Sequence, residues 1–444
     1  MTRLWFVIVL VAATPLWCQV NAGANGPADA AVTADDTRMA APPPVSGESY
    51  PVAGTAEARS NYLRYGLTFS TAYSDNVLGG TPPVSDISYS IWPTIALDKS
   101  TSRLHSLLSY SPGFTFYQRT SGRNEADQNV ALDIQYRLSP HVTVSVRDSF
   151  QKSSSVFNQP DLASANPVTG TAEPPTATVI APLADRLTNT ANAGITYQYG
   201  RNSMVGASGT FTNLHYPDPA EVPGLFDSST TGGSAFYDHR LSKKQHIGVS
   251  YQYQRILSYP VGARSQTQTH TIFGFYTLYL TPRLSLSLSG GPQYSDVAQS
   301  PQPASRSWSP AATASLGWQG QRTSFAASYS RIVTGGGGLQ GAFHSNSANA
   351  SASWQIVRTW SVGAGASYAI NKTLTPFVFL SNPGGHSLSG TVSMRHPIGQ
   401  HLSAEAGYSR VHQSYGGIPV IANSPDINRE FITISYQFAR PLGR

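Results

Sequence analysis

From Tyr62 to its end the chain is written in runs of about ten residues in which apolar and polar side chains alternate. Val142, Val144 and Val146 interleave with Thr143, Ser145 and Arg147, and Leu284, Leu286 and Leu288 with Ser285, Ser287 and Ser289. Ile247, Val249, Tyr251 and Tyr253 repeat the pattern, as do Trp360, Val362, Ala364, Ala366 and Tyr368. Near the end, Ile432, Ile434, Tyr436 and Phe438 interleave with Thr433, Ser435 and Gln437. Successive side chains of a strand leave opposite faces of the sheet, so each run is a strand with one apolar and one polar face. The apolar face needs a second sheet or lipid against it, and the two imply different functions.

The connectors discriminate between them. Short polar turns fall at Asp98-Lys99-Ser100, Ser139-Pro140, Gly200-Arg201-Asn202, Ser242-Lys243-Lys244, Thr281-Pro282-Arg283, Gly320-Gln321, Arg358-Thr359 and Gly399-Gln400. The other ends of the runs are joined by longer segments such as Pro217 to Gly233, Gly335 to Gly338 and Ser414 to Asp426, the longest reaching from Ser153 to Asp185. Short turns at one end and long loops at the other are the asymmetry of an outer-membrane barrel. Two runs per short turn, an opening run from Tyr62 and a closing run to Phe438 predict 18 strands, an even number as both ends on the periplasmic side require. The expected fold is all-β: one transmembrane antiparallel barrel over residues 59–438, with a short tail over 439–444.

A repeat near 40 residues also suits a β-propeller, but a blade divides that length into four short strands. Here each interval holds two long ones, and a tilted strand needs about 9 to 11 residues to cross a hydrocarbon layer. Charged residues make up only 12% of the chain, well below the roughly 25% of an average soluble protein. Mean hydropathy is −0.21, and no run of about 18 apolar residues follows the N-terminus, so any crossing must use strands.

The first residues read as a secretory signal over 1–22: Arg3, the apolar stretch Leu4 to Ala13, and the small-x-small site Val20-Asn21-Ala22. The single cysteine, Cys18, follows Trp17 where lipid attachment requires a small residue. With Cys18 inside the signal, disulfides and thiolate metal sites are not expected. Residues 23–58, with Ala41-Pro42-Pro43-Pro44, have no period and read as a disordered periplasmic leader.

Tyr136, Tyr199, Trp318, Trp354 and Trp360 lie close to short turns, where an aromatic girdle meets the membrane interface. The C-terminal stretch resembles the β-signal read by the outer-membrane assembly machinery, Tyr436 and Phe438 matching its aromatic positions. It departs at Thr433, at Phe431 and in the tail from Ala439 to Arg444. Outer-membrane lipid and that machinery are therefore the expected partners.

Signs of enzymatic chemistry are sparse. Gly335 to Gly338 is followed by Leu339-Gln340 and lacks the Lys-Ser/Thr of a phosphate loop. The histidines show no metal-ligand spacing, and no Gly-x-Ser-x-Gly elbow occurs, so neither catalysis nor a metal or cofactor is expected. The polar faces direct Arg64, Arg137, Arg147, Arg240, Arg283 and Arg395 inward, against Asp133, Asp238 and Glu405. Such a mildly basic wall either favours neutral and anionic solutes or pairs internally and stiffens the barrel. The pI of 9.3 reflects dispersed basic residues instead of one patch, so nucleic acid is not an expected partner.

Ala72-Tyr73-Ser74-Asp75-Asn76-Val77 resembles the aromatic-x-Asp-Asn-aliphatic signature of the outer-membrane β-barrel porin family associated with exopolysaccharide gene clusters. The resemblance implies a secreted barrel of this size without catalytic residues, moving or anchoring surface polysaccharide. Two functions remain open from the residues: a channel for polysaccharide or small polar solutes, and a structural or adhesive barrel whose lumen is plugged, for which the 153–185 loop is the candidate plug.

Overall fold

The structure, a computed structural model, describes residues 61–442 apart from 80–81, 156–183, 261–263, 282, 300–302, 336–337, 375–383 and 417–425. The expected signal, the leader and most of the 153–185 loop lie outside the described residues. The strands are β1 Asn61–Ser74, β2 Asp86–Ser100, β3 Leu104–Tyr117, β4 Glu125–Arg137, β5 Val142–Ser153 and β6 Arg186–Gly200. There follow β7 Ser203–His215, β8 Ser228–Ser242, β9 Gln245–Ser258, β10 Ser265–Thr281, β11 Leu284–Gln299 and β12 Ser305–Gln319. The last are β13 Thr323–Thr334, β14 Phe343–Val357, β15 Trp360–Thr373, β16 Gly385–Pro397, β17 Leu402–Tyr415 and β18 Ile427–Pro441.

All join one 18-stranded sheet in which each strand pairs antiparallel with its sequence neighbours, and β1 also pairs with β18. The sheet thus closes and leaves no edge, which is what a strand-built structure needs where no water can satisfy open backbone groups. No helix among the described residues is long and apolar enough to cross a membrane. Several boundaries differ from the sequence reading. β8 already begins at Ser228, within the expected Pro217 to Gly233 loop, and Gly200, Ser242 and Thr281 end strands where turns were expected. β2 runs through Ser100, so Asp98 belongs to a strand and the first hairpin turns over residues 101–103. β18 continues past Phe438 to Pro441, because β1 offers ladder partners up to Tyr62.

Register fixes the two faces. Leu67 of β1 stands between Tyr436 and Pro93, and Leu67, Phe69, Ile91, Val249, Leu288 and Ile434 are all exposed on the outside. The intervening residues, such as Ser90, Thr115, Thr271, Ser287 and Ser295, are buried on the inside. An apolar exterior with no second sheet over it among the described residues is a lipid-facing surface. Tyr136, Tyr199, Trp318, Trp354 and Trp360 are exposed on that exterior beside short turns.

The inner face is not uniformly polar. Trp92, Phe236, Phe275 and Phe431 point inward; the last three stand directly opposite Gly206, Gly248 and Gly407 of the adjoining strand, and the Trp92 ring lies against Gly113 of β3. Each ring occupies the space that the glycine's missing side chain leaves, since a Cβ built at Gly407 would lie 2.5 Å from the Phe431 ring. An aromatic laid across a strand glycine restores the packing the glycine forgoes.

At the seam the Asp75 carboxylate accepts hydrogen bonds from the Asn428 backbone N–H at 2.8 Å and from its side-chain amide at 2.6 Å. Asn76 is buried and caps the β1–β2 loop, where Val77 N–H donates to the Val84 carbonyl at 2.8 Å. In the 72–77 stretch, Asp75 therefore fastens the first strand to the last, while Asn76 holds the β1–β2 loop.

Candidate functional site: the barrel lumen

The inner wall is organised by cross-strand hydroxyl pairs. Thr68 and Ser435 lie 3.1 Å apart, Ser70 and Thr433 2.9 Å, Ser90 and Thr115 2.9 Å, Ser330 and Ser347 2.7 Å, and Thr391 and Ser409 3.0 Å. Each pair joins residues directly opposite in the ladder, so the alternation that makes the strands also makes these pairs.

Eight of the nine charged residues read from the sequence occupy strand positions whose register faces inward. Arg64 pairs with Asp98 at 3.1 Å, and Arg147 with Asp133 at 2.9 Å. Asp238 is fully buried and lies 3.0 Å from Nδ1 of His246. Arg137 donates to the Ser102 carbonyl at 3.3 Å, and Arg240 to the Asn202 side chain and the Arg201 carbonyl, so both reach toward the short-turn end. Arg395 donates to Ser403 Oγ at 3.1 Å and stands opposite Glu405 in the ladder. Arg283 lies outside the strands, in the β10–β11 turn, where its N–H donates to Thr281 Oγ1. Much of the inner charge is thus matched locally. Asp98 and His246, which complete two of these pairs, went unread because Asp98 looked like a turn residue and a neutral histidine carries no charge signal.

The long-loop end of the lumen holds two groups that alternation did not reveal. One is polar. The Asp86 carboxylate accepts from the Arg119 and Thr120 backbone N–H groups and from the Thr120 hydroxyl. Tyr117 donates to Glu125 at 3.0 Å, and the Ser154 N–H donates to Asp127 at 3.1 Å. Beside them Asp185 meets Lys152 at 2.9 Å. Burial pushes the Asp185 carboxyl up, but Ser154 and Lys152 outweigh it and hold the group below its ordinary value.

The other group is apolar. The loop over 216–227 brings Tyr216, Val222 and Leu225 against Leu339 of the β13–β14 loop, Phe343 at the start of β14 and Tyr415 at the end of β17, all buried. Phe226 N–H donates to the Gly338 carbonyl at 2.7 Å, and Arg123 of the β3–β4 loop pairs with Glu221 at 2.5 Å. One loop is therefore held by three other parts of the rim. Gly338 is required where it stands: its φ is +101°, and a Cβ there would lie 2.7 Å from the Tyr216 hydroxyl. The signal for this cluster was present in the text, since Phe343 and Tyr415 are large apolar residues at polar-face positions next to long loops. Among the described residues no group of His, Cys, Asp and Glu side chains could hold a metal ion.

No family model matches the chain, and no curated protein matches it in sequence. Among solved structures it is similar to the ferric citrate transporter FecA, with 10% identity and a TM-score of 0.42 over 83% of this chain. It spans 63% of FecA's length. OpdK of Pseudomonas aeruginosa, solved with vanillate, shares 7% identity and a TM-score of 0.41 over 85% of this chain and 99% of its own. OccAB4 of Acinetobacter baumannii shares 8% identity and a TM-score of 0.42 over 86% and 99%. At these values the likenesses carry no functional argument. The class rests on the molecule itself: an antiparallel sheet closed on itself, apolar outside and rich in hydroxyls within, is an outer-membrane β-barrel.

Proposed function

We propose that the protein is an outer-membrane channel whose lumen passes an uncharged or acidic glycan, or small polar solutes. The observation that carries this reading is the hydroxyl-paired inner wall, since such groups exchange hydrogen bonds with sugars and water alike. A barrel of 16 to 18 strands is wide enough for an aqueous path. Two of the inward arginines, Arg64 and Arg147, are matched by acids, which lowers the net charge of the wall and suits neutral or weakly acidic cargo. The likeness of residues 72–77 to exopolysaccharide-associated porins favours a glycan over general diffusion.

The apolar cluster at the mouth favours a second reading, a structural or adhesive barrel closed by its 216–227 loop. Single-channel recording of the full chain in planar bilayers separates the two. The channel reading expects conductance in the native protein, blocked by a neutral glycan polymer, and higher conductance when Val222 and Leu225 are both changed to Ser. Silence in both forms overturns it. Conductance in the double variant alone identifies the loop as a plug and supports the second reading.

A further inference from the structure

Outside the barrel, near the long-loop end of β13 to β15, three basic side chains gather on the lipid-facing surface. His344 and Lys372 stand directly opposite each other in the β14–β15 ladder. Arg331, opposite Asn346, is the outward residue diagonal to His344. Arg331 and Lys372 carry the charge, and His344 stands on the strand between them as a further hydrogen-bonding group. Other exterior cations in this region are matched: Arg306 pairs with Asp296 at 3.2 Å, and Arg410 and His412 share Asp426. Among the described residues no carboxylate forms an ion pair with Arg331, His344 or Lys372. Nor can the adjoining loops supply one, since residues 335–342 and 374–384 contain neither Asp nor Glu.

Toward the middle of the same exterior lies an apolar groove of about 420 Å³, floored by Ala350, Ala364, Ala366 and Gly390 and flanked by Phe325 and Tyr408. Ala350 follows His344 by six positions on β14, roughly 20 Å along the strand. With strand tilt that separation spans about half of a 30 Å hydrocarbon core, the depth of one leaflet.

We propose that this face binds an anionic, phosphate-bearing acyl lipid from the leaflet on the long-loop side. Its phosphate sits among Arg331, His344 and Lys372, and one of its chains lies in the groove. Arg331 and Lys372 bind phosphate through charge-assisted hydrogen bonds, and His344 between them adds a hydrogen-bonding group. The chain fills a concavity that the flanking aromatics otherwise keep from packing. This inference is independent of whether the lumen conducts.

The test is native mass spectrometry of the full chain in neutral detergent, titrated with a bis-phosphorylated, multiply acylated disaccharide lipid. Tight retention of one lipid per chain is expected, falling tenfold or more in the double variant Arg331→Gln and Lys372→Gln. The variant Arg331→Lys with Lys372→Arg should retain it, and Arg306→Gln should be indistinguishable from the native protein. Heat-modifiable gel migration checks that every variant is folded. Equal retention in the double glutamine variant overturns the proposal. So does an equal loss in Arg306→Gln, full competition by inorganic phosphate, or a lipid-independent dimer covering this face.

Discussion

Leu288 and Ser289 are neighbours in the chain and face different solvents. Leu288 is exposed on the barrel exterior, while Ser289 turns inward and meets Thr313 at 2.5 Å. Leu288→Arg would place a charge in hydrocarbon and is expected to cost about 2 to 4 kcal/mol, whereas Ser289→Arg loses one hydroxyl pair, about 1 kcal/mol, and can reach the lumen. Urea titration of both variants folded into vesicles checks the order, and equal tolerance would reverse the face assignment. Asp75 tests a different residue-scale claim. Asp75→Ala removes both carboxylate hydrogen bonds to Asn428 and leaves the backbone one, so we expect a loss of about 1 to 3 kcal/mol, with Asp75→Asn milder because it keeps an acceptor. At this scale the sequence was readable wherever a side chain's neighbours follow from parity. Asp98 and His246 escaped because their partners are fixed by register between strands, and register is not written in either strand alone.

An element in this barrel is a strand together with its two ladders, and the alternation that named each strand also named its outer face. What it did not disclose is how the inner face is levelled. Phe275 lies over Gly248, where an added side chain would meet both the Phe275 ring and the Tyr237 carbonyl. Gly248→Val is therefore expected to destabilise the barrel by about 1 to 3 kcal/mol through overpacking, more than Gly317→Val, whose built Cβ has only Ser285 Oγ nearby, at 3.3 Å. Thermal unfolding followed by loss of the compact gel band gives the comparison. Such joints look like interruptions in a polar run when one strand is read at a time. They make sense only when a glycine on one strand and a ring on the next are seen to share a rung. Strand ends were blurred for a related reason, as β18 reaches Pro441 through partners that β1 provides and not through its own pattern.

For the molecule as a whole, the count of strands, their antiparallel order and the closure were legible, because turns and loops alternate along the whole length. The arrangement at the mouth was not, since loops carry no period and their contacts join parts of the rim far apart in the chain. Tyr216 gives this region a measurable handle. Burial pushes its hydroxyl up to about 12, so the neutral phenol is favoured in the closed cluster. A raised value means stability that is complete below the unfolded-state value near 10 and is lost as pH rises toward about 12. Conductance, or access of a label to Cys substituted at Val222, should therefore rise between about pH 10 and pH 12 in the native protein, and Tyr216→Phe should abolish that alkaline step. The seam has a different consequence, one of timing. Asp75 and Asn428 are separated by 353 positions, so the β1–β18 pairing is the most non-local in the sheet and is expected to form late. Until then the sheet is an open ribbon with two raw borders, each a row of backbone groups that lipid cannot satisfy. A chain cut short before β18 would not be a smaller pore; it would be a template that recruits other strands, and its fate would be aggregation or degradation.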